Sequence, residues 1–197
     1  HKDAEGRLLK EYYLDADEKP TDCYGYFGLS YEHREKEDII TYLNENGDPT
    51  NTASGFAVVV RSYNEEGQAL DDMYYDAEMR PQMSIGGYYG IHREYNEDGV
   101  ASEIVYLDVD GLPSCGTNGV AREKRSFDNE GRVIQTFFFD LKNKLVSLQS
   151  GQEGEAYSYD ENNRISQITF LDRNGNPMEA TTGYTILKRT YYRDGTE

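Results

Sequence analysis

Tryptophan is absent, cysteine occurs twice, proline five times, and 20 Lys and Arg stand against 37 Asp and Glu. Each shortage closes off a class of protein. The formal charge of -17 leaves a phosphate backbone without cationic partners, so nucleic acid is not an expected ligand. An anionic lipid surface is disfavoured for the same reason. Two cysteines cannot build a disulfide scaffold. No apolar run reaches the ~18 residues of a membrane-spanning helix, so membrane insertion is not expected. The only histidines are His1, His33 and His92, and neither cysteine has one beside it in a nucleophile setting. Gly-rich phosphate loops and metal-ligand clusters are missing too. Carboxylates abound, but in turns where water keeps their titration ordinary. The expectation is a protein that is not an enzyme.

What the chain does have is 18 Tyr, 7 Phe and 19 Gly, too aromatic for disorder and too poor in aliphatic runs for one large core. The aromatics recur in phase. Pro49, Pro81 and Pro113 are 32 residues apart, Pro177 lies two periods further on, and Leu145 holds the place between. Four more columns keep the period: Tyr42, Tyr74, Tyr106, Phe138 and Phe170; Gly55, Gly87, Gly119, Gly151 and Gly183; Tyr63, Tyr95, Phe127, Tyr159 and Tyr191; Gly67, Gly99, Gly131, Asn163 and Gly195. Such self-similarity is the signature of a repeat architecture. The units run approximately 1–12 (partial), 13–41, 42–73, 74–105, 106–137, 138–169 and 170–197 (partial), as one array over 1–197. Cys23 and Cys115 lie almost three units apart, so if the units stack in order these are free thiols. The chain begins just before one turn and stops just after another, and so reads as a fragment of a longer array. A missing signal peptide therefore carries little weight.

Each unit holds two strand-like runs and two breaks. FAVVVRSY over Phe56–Tyr63 is followed by Asn64-Glu65-Glu66-Gly67, polar residues suited to type I geometry and then a Gly free to take positive φ. Asn163 in the Gly column agrees, since Asn tolerates the left-handed region best among other residues. VASEIVYL over Val100–Leu107 is a second run, so the pair reads as a hairpin. The longer break, Asp108 to Gly119, contains a tight turn, Pro113 and a closing Gly. Period-2 alternation puts the Tyr106-type aromatics on one face with Ile40, Ile104 and Ile168, and places Arg61, Arg93, Arg125 and Arg189 in one column with Tyr157 in the fifth place. The fold expected is all-β: an elongated array of about six hairpin repeats, as a single-layer meander or a β-solenoid, with an aromatic ladder beside an Arg row. The stretch Leu141–Tyr157 lacks the proline and the Arg and carries Gln152-Glu153-Gly154 where other units are apolar, which predicts an irregular or mobile loop at 147–154.

Three patterns are candidates for ligand chemistry. Asp108-x-Asp110-Gly111 resembles the start of a calcium loop, but the distal Glu is missing and Asn substitutes freely in other units. Asp108 and Asp110 are therefore a weak Ca²⁺ candidate beside the turn reading, with no cofactor required. The Arg column can serve an anion or pair with the abundant acids. Tyrosines outside the named columns, Tyr24, Tyr26, Tyr75, Tyr88 and Tyr89, are the candidate ligand-binding residues, because aromatic platforms bind sugars and cationic head groups.

The phrase recurring as SYNEEG over 62–67, SFDNEG over 126–131 and YDENN over 159–163 resembles the YD/Rhs-type repeats of bacterial surface proteins. The whole unit is also similar to the hairpin repeats of MORN-type and choline-binding cell-wall modules, although the paired tryptophans of the latter are absent. The resemblance covers nearly the full chain. It implies an extracellular or bacterial cell-surface protein, with a role in protein interaction, adhesion or spacing. The alternative is a carbohydrate- or cell-wall-binding module using exposed tyrosines. The expected partner is a protein or a glycan at a cell surface.

Overall fold

Alternating apolar and polar residues, broken at fixed intervals by Asx and Gly, dictate short antiparallel strands joined by tight turns. The structure, a computed structural model, describes residues 1–191. Gly195, the last member of its column, and the end of the final unit lie outside them. Twelve strands follow one another: β1 (Lys10–Tyr12), β2 (Gly28–His33), β3 (Glu37–Leu43), β4 (Val58–Tyr63), β5 (Ala69–Tyr75), β6 (Gly90–Tyr95), β7 (Ala101–Leu107), β8 (Arg122–Phe127), β9 (Val133–Phe139), β10 (Gly154–Tyr159), β11 (Ile165–Leu171) and β12 (Ile186–Lys188). They form one antiparallel sheet whose strand order is the chain order. No helix occurs among the described residues, so none there is long and apolar enough to cross a membrane. The chain divides into two compact units, His1–Arg93 with Tyr106–Thr117, and Glu94–Val105 with Asn118–Glu197, of which 118–191 are described.

The repeat has three turns, where the sequence suggested two breaks. The first joins the strands of a hairpin. In the 128–132 turn the Asp128 N–H donates to Arg132 O, and Gly131 N–H to Asp128 O. Asp128 Oδ1 also accepts from the N–H groups of Glu130 and Arg132. This Asx turn ends in a left-handed residue, which shifts the strand register by a bulge at Ser126/Phe127, and likewise at Arg61/Tyr63 and Ser158/Tyr159. The second turn repeats the geometry at 108–112. A bridge from Leu107 to Pro113 then closes it. The third turn lies inside the break that looked like a single loop. Ser84 N–H donates to Tyr88 O, and Gly87 N–H to Ser84 O.

Third turns also bond to one another. Ile85 N–H donates to Ser54 O, and Thr117 N–H to Gly86 O, both in the first unit; Thr181 N–H donates to Ser150 O in the second. Gly87 is required twice over. Its φ is +84°, and a Cβ there would stand 2.6 Å from Thr117 Cγ2 and 2.9 Å from its N. The first full repeat is shorter because two turns are tighter. The β2–β3 hairpin closes with Arg34 N–H to Glu37 O, and a two-residue turn at Tyr24-Gly25 closes with Cys23 N–H to Tyr26 O. Residues 147–154 are not irregular, contrary to expectation. Leu148 N–H donates to Gln152 O and Gly151 has φ +94°, the geometry of the third turns at 52–56, 84–88 and 180–184. Backbone hydrogen bonds build this turn, so the apolar residues missing around it do not dissolve it.

In the first unit the ladder face is aromatic. Ring centroids run Tyr13–Tyr26 5.7 Å, Tyr26–Tyr42 4.8 Å, Tyr42–Phe56 6.0 Å, Phe56–Tyr74 4.1 Å, Tyr74–Tyr88 6.1 Å and Tyr88–Tyr106 4.2 Å. Such pairs stabilise by about 0.5–1.5 kcal/mol each beyond burial. Second-strand rings alternate with the residue that follows each third-turn Gly, a column the sequence reading had not separated out. Leu29, Ile40 and Val59 complete this core. Ile39, Ala57 and Val58 form a smaller cluster packed with Val60 and Tyr75.

Candidate binding groove

The open face of the first unit is set by strand alternation. Glu37 pairs with Ser62, Ile39 with Val60, and Val60 with Met73, so these side chains stand together, opposite the ladder. The 108–112 turn borders them and leaves a groove of about 420 Å³. Val60, Met73 and Tyr75 form its floor, with Leu107 and Val109 at the side. Glu37, Asp71 and Asp110 bring carboxylates to the rim. Ser62 Oγ donates to Asp71 Oδ2 at 3.0 Å, while His92 Nδ1 lies 2.7 Å from Asp71 Oδ1. Arg34 Nη1 meets Glu37 Oε1 at 2.6 Å. Asp110 takes no ion pair among the described residues.

The other face carries a buried charge cluster. Asp72 is 4% exposed in the column that holds Ile40, Ile104 and Ile168 elsewhere. Arg61 grips it from the paired strand, Nε to Oδ1 at 2.6 Å and Nη2 to Oδ2 at 2.8 Å, and Arg93 Nη2 reaches Oδ2 at 2.6 Å. Burial alone would raise the Asp72 carboxyl, but the two guanidinium groups outweigh it and hold it below the ordinary carboxylate range. The arginine column is thus partly consumed in ion pairs. Arginine–ring stacking is made by the arginines of the hairpin turns, with Arg132 5.0 Å from the Tyr159 ring centroid and Arg164 4.3 Å from that of Tyr191. Near the N-terminus, His33 Nδ1 lies 2.8 Å from Asp38 Oδ1 and its Nε2 2.7 Å from Leu8 O. Asp38, then the Leu8 carbonyl, raise the imidazole above its ordinary value. Tyr63 donates to Asp38 Oδ2, and burial with this bond pushes its hydroxyl up to about 12.

The structure separates the five candidate tyrosines. Tyr26 and Tyr88 are rings of the ladder, packed on the core. Tyr75 lines the groove. Tyr89 is half-buried and engaged through its backbone, its N–H donating to Leu107 O. Tyr24 is 84% exposed with φ +57°. Of the calcium candidates, Asp108 has Oδ1 occupied by the N–H groups of Asp110 and Leu112, whereas Asp110 faces the groove. No group of three or more His, Cys, Asp or Glu able to hold a metal is found among the described residues. Cys23 and Cys115 carry free thiols. Sequence reasoning missed Val60, Met73 and Val109. Their only signal was that Met73 falls in a variable column, with Tyr12, Thr41, Val105, Phe137 and Thr169 in the other units. No protein-family model matches the chain, and no curated protein matches it.

Proposed function

We propose that the chain is a non-enzymatic binding module, acting in protein interaction or adhesion in a secreted or bacterial cell-surface setting. The observation that carries the reading is a division of labour within the repeat. Recurring residues serve the fold: Asp128 and Asp160 close turns, and the Tyr106-type rings build the ladder. Residues that change from unit to unit, such as Met73 and Val109, face an open groove. A scaffold that keeps its backbone and varies its surface is how repeat proteins recognise partners. The setting follows from the resemblance of the hairpin phrases to bacterial surface repeats.

A second reading has its own support. Tyr24 holds its ring almost fully in solvent, on a backbone conformation that costs a non-Gly residue about 1–2 kcal/mol. A flat ring so displayed suits a sugar face. The two readings separate on immobilised chain offered surface proteins and a glycan array. Protein retention that weakens on Met73→Phe supports the first. Saturable glycan binding abolished by Tyr24→Ala supports the second. Absence of saturable retention in both arms leaves a spacer and defeats the binding-module reading.

A further inference from the structure

Deepening the binding-module reading, on which it rests, we infer that the groove beside the 108–112 turn is a site for a small organic cation with a ring-sized apolar body, of the arylalkylammonium class. The argument for the apolar body is a comparison between repeats. Tyr12, Thr41, Met73, Val105, Phe137 and Thr169 hold the same place, one residue before the ladder aromatic of a second strand, and it is aromatic at Tyr12 and Phe137. Where that place is aromatic, a later second turn lies on the ring. A Cβ on Gly47 would stand 2.9 Å from the Tyr12 hydroxyl oxygen, and one on Gly175 would stand 3.9 Å from Phe137 Cζ. At Met73 the corresponding turn holds Gly111, and a Cβ there would meet no described atom within 4 Å. A thioether stands where Tyr12 and Phe137 carry a ring, and the space left open is the groove. Its volume of about 420 Å³ falls in the range of small-ligand sites, roughly 300–1,000 Å³.

The argument for the cation is the rim. Glu37, Asp71 and Asp110 are its acidic residues, and no Lys or Arg lines it. Glu37 and Asp71 are already hydrogen-bonded to Arg34, Ser62 and His92, which fixes their positions. Asp110, on the turn, is left to meet an incoming ammonium. The chain's charge of -17 adds a field that draws cations toward the molecule. The ring of the ligand would lie on Val60 and Met73 beside Tyr75, and its ammonium would lie toward Asp110.

The test uses the whole chain, with methyl groups of Val and Met observed by NMR at about 0.15 M salt so that diffuse charge effects are screened. Phenethylammonium is titrated against 2-phenylethanol, the same ring without the charge. The expected result is saturable shifts confined to Val60, Met73 and Val109, with the alcohol about tenfold weaker or more. Asp110→Asn, an exposed change, should weaken the amine toward the alcohol. Met73→Phe, which installs the residue of another repeat, should abolish binding while the chain still melts cooperatively. Three results would overturn the inference: no saturable shift by ~10 mM amine, equal binding of amine and alcohol, or undiminished binding in both Asp110→Asn and a folded Met73→Phe. Such a failure leaves the binding-module reading to its own test, which depends on partner retention and not on amines.

Discussion

The two compact units use the same turns around different cores. In the first, rings follow one another without a gap from Tyr13 to Tyr106. In the second, the corresponding places read Val120, Phe138, Gln152, Phe170 and Tyr184. Gln152 and Glu153 are only 4% and 6% exposed. Glu153 has Ser147 and Arg173 for partners, while Gln152 donates to Glu155 and leaves Oε1 without a partner among the described residues. Yet the 148–152 turn keeps its backbone bonds. The turn scaffold therefore tolerates changes in core chemistry that would be severe in a fold held together by its core alone.

The sharpest way to break that comparison is to damage the intact ladder. Phe56→Ala removes a buried ring stacked at 4.1 Å on Tyr74 and should cost about 3–5 kcal/mol. Amide hydrogen exchange should quicken at Ala57 and Tyr74 and stay unchanged at Phe138 and Phe170. Equal acceleration in both units would show one cooperative core. Asp72→Ala comes next. It strands Arg61 and Arg93 in a half-buried site, with an expected loss of about 3 kcal/mol in denaturant unfolding. A loss below about 1 kcal/mol would mean that water reaches the cluster freely.

Smaller changes sharpen the contrast from the other side. Gln152→Phe replaces a buried amide having an unpaired oxygen with a ring between Phe138 and Phe170, and should stabilise the second unit by about 1 kcal/mol. A lower denaturation midpoint would show that the amide is held by contacts a ring cannot replace. His33 offers a pH test confined to the first unit. Its folded pKa is raised, so its pairing contributes fully below the ordinary imidazole value and fades as pH rises through the folded one. The stability difference between the native chain and His33→Gln should therefore be largest below the ordinary imidazole range, about 6.5, and shrink as pH rises above it; a constant difference would contradict the pairing with Asp38. The smallest effect is expected from chelator. Asp108 is occupied by backbone N–H groups, so melting should move by only a few degrees, and a large drop reversed by Ca²⁺ would reinstate the calcium site.

Much of this was legible because turns are local. Asp or Asn followed by Gly at the bulge position predicts a hairpin whatever surrounds it, and Asn163, with φ +63°, fills that position as the sequence suggested. The third turn was hidden because its closing Gly looked like the end of a loop, and the residue behind it changes from Tyr26 to Phe56, Val120 and Gln152. A column that changes chemistry cannot be read by residue type. The same blindness made Tyr26 and Tyr88 look irregular, when they are ladder rings.

The groove was not legible for a different reason. Tyr75 and Asp110 were singled out separately, one as a platform and one as a calcium ligand, although they line the same cavity. Thirty-five positions separate them, and period-2 alternation says which face a strand residue takes but not which later turn will come to lie beside it. The sequence by itself determined the repeat length, the strands, most of the turns and the face each strand side chain occupies, since all follow from backbone preferences within a few residues. Only the tertiary structure decided that Asp72 is clamped by two arginines from neighbouring strands, and that Met73 lies open where Tyr12 and Phe137 have a turn lying on them. Those outcomes depend on the register between strands and on where a distant turn settles, which no local preference encodes.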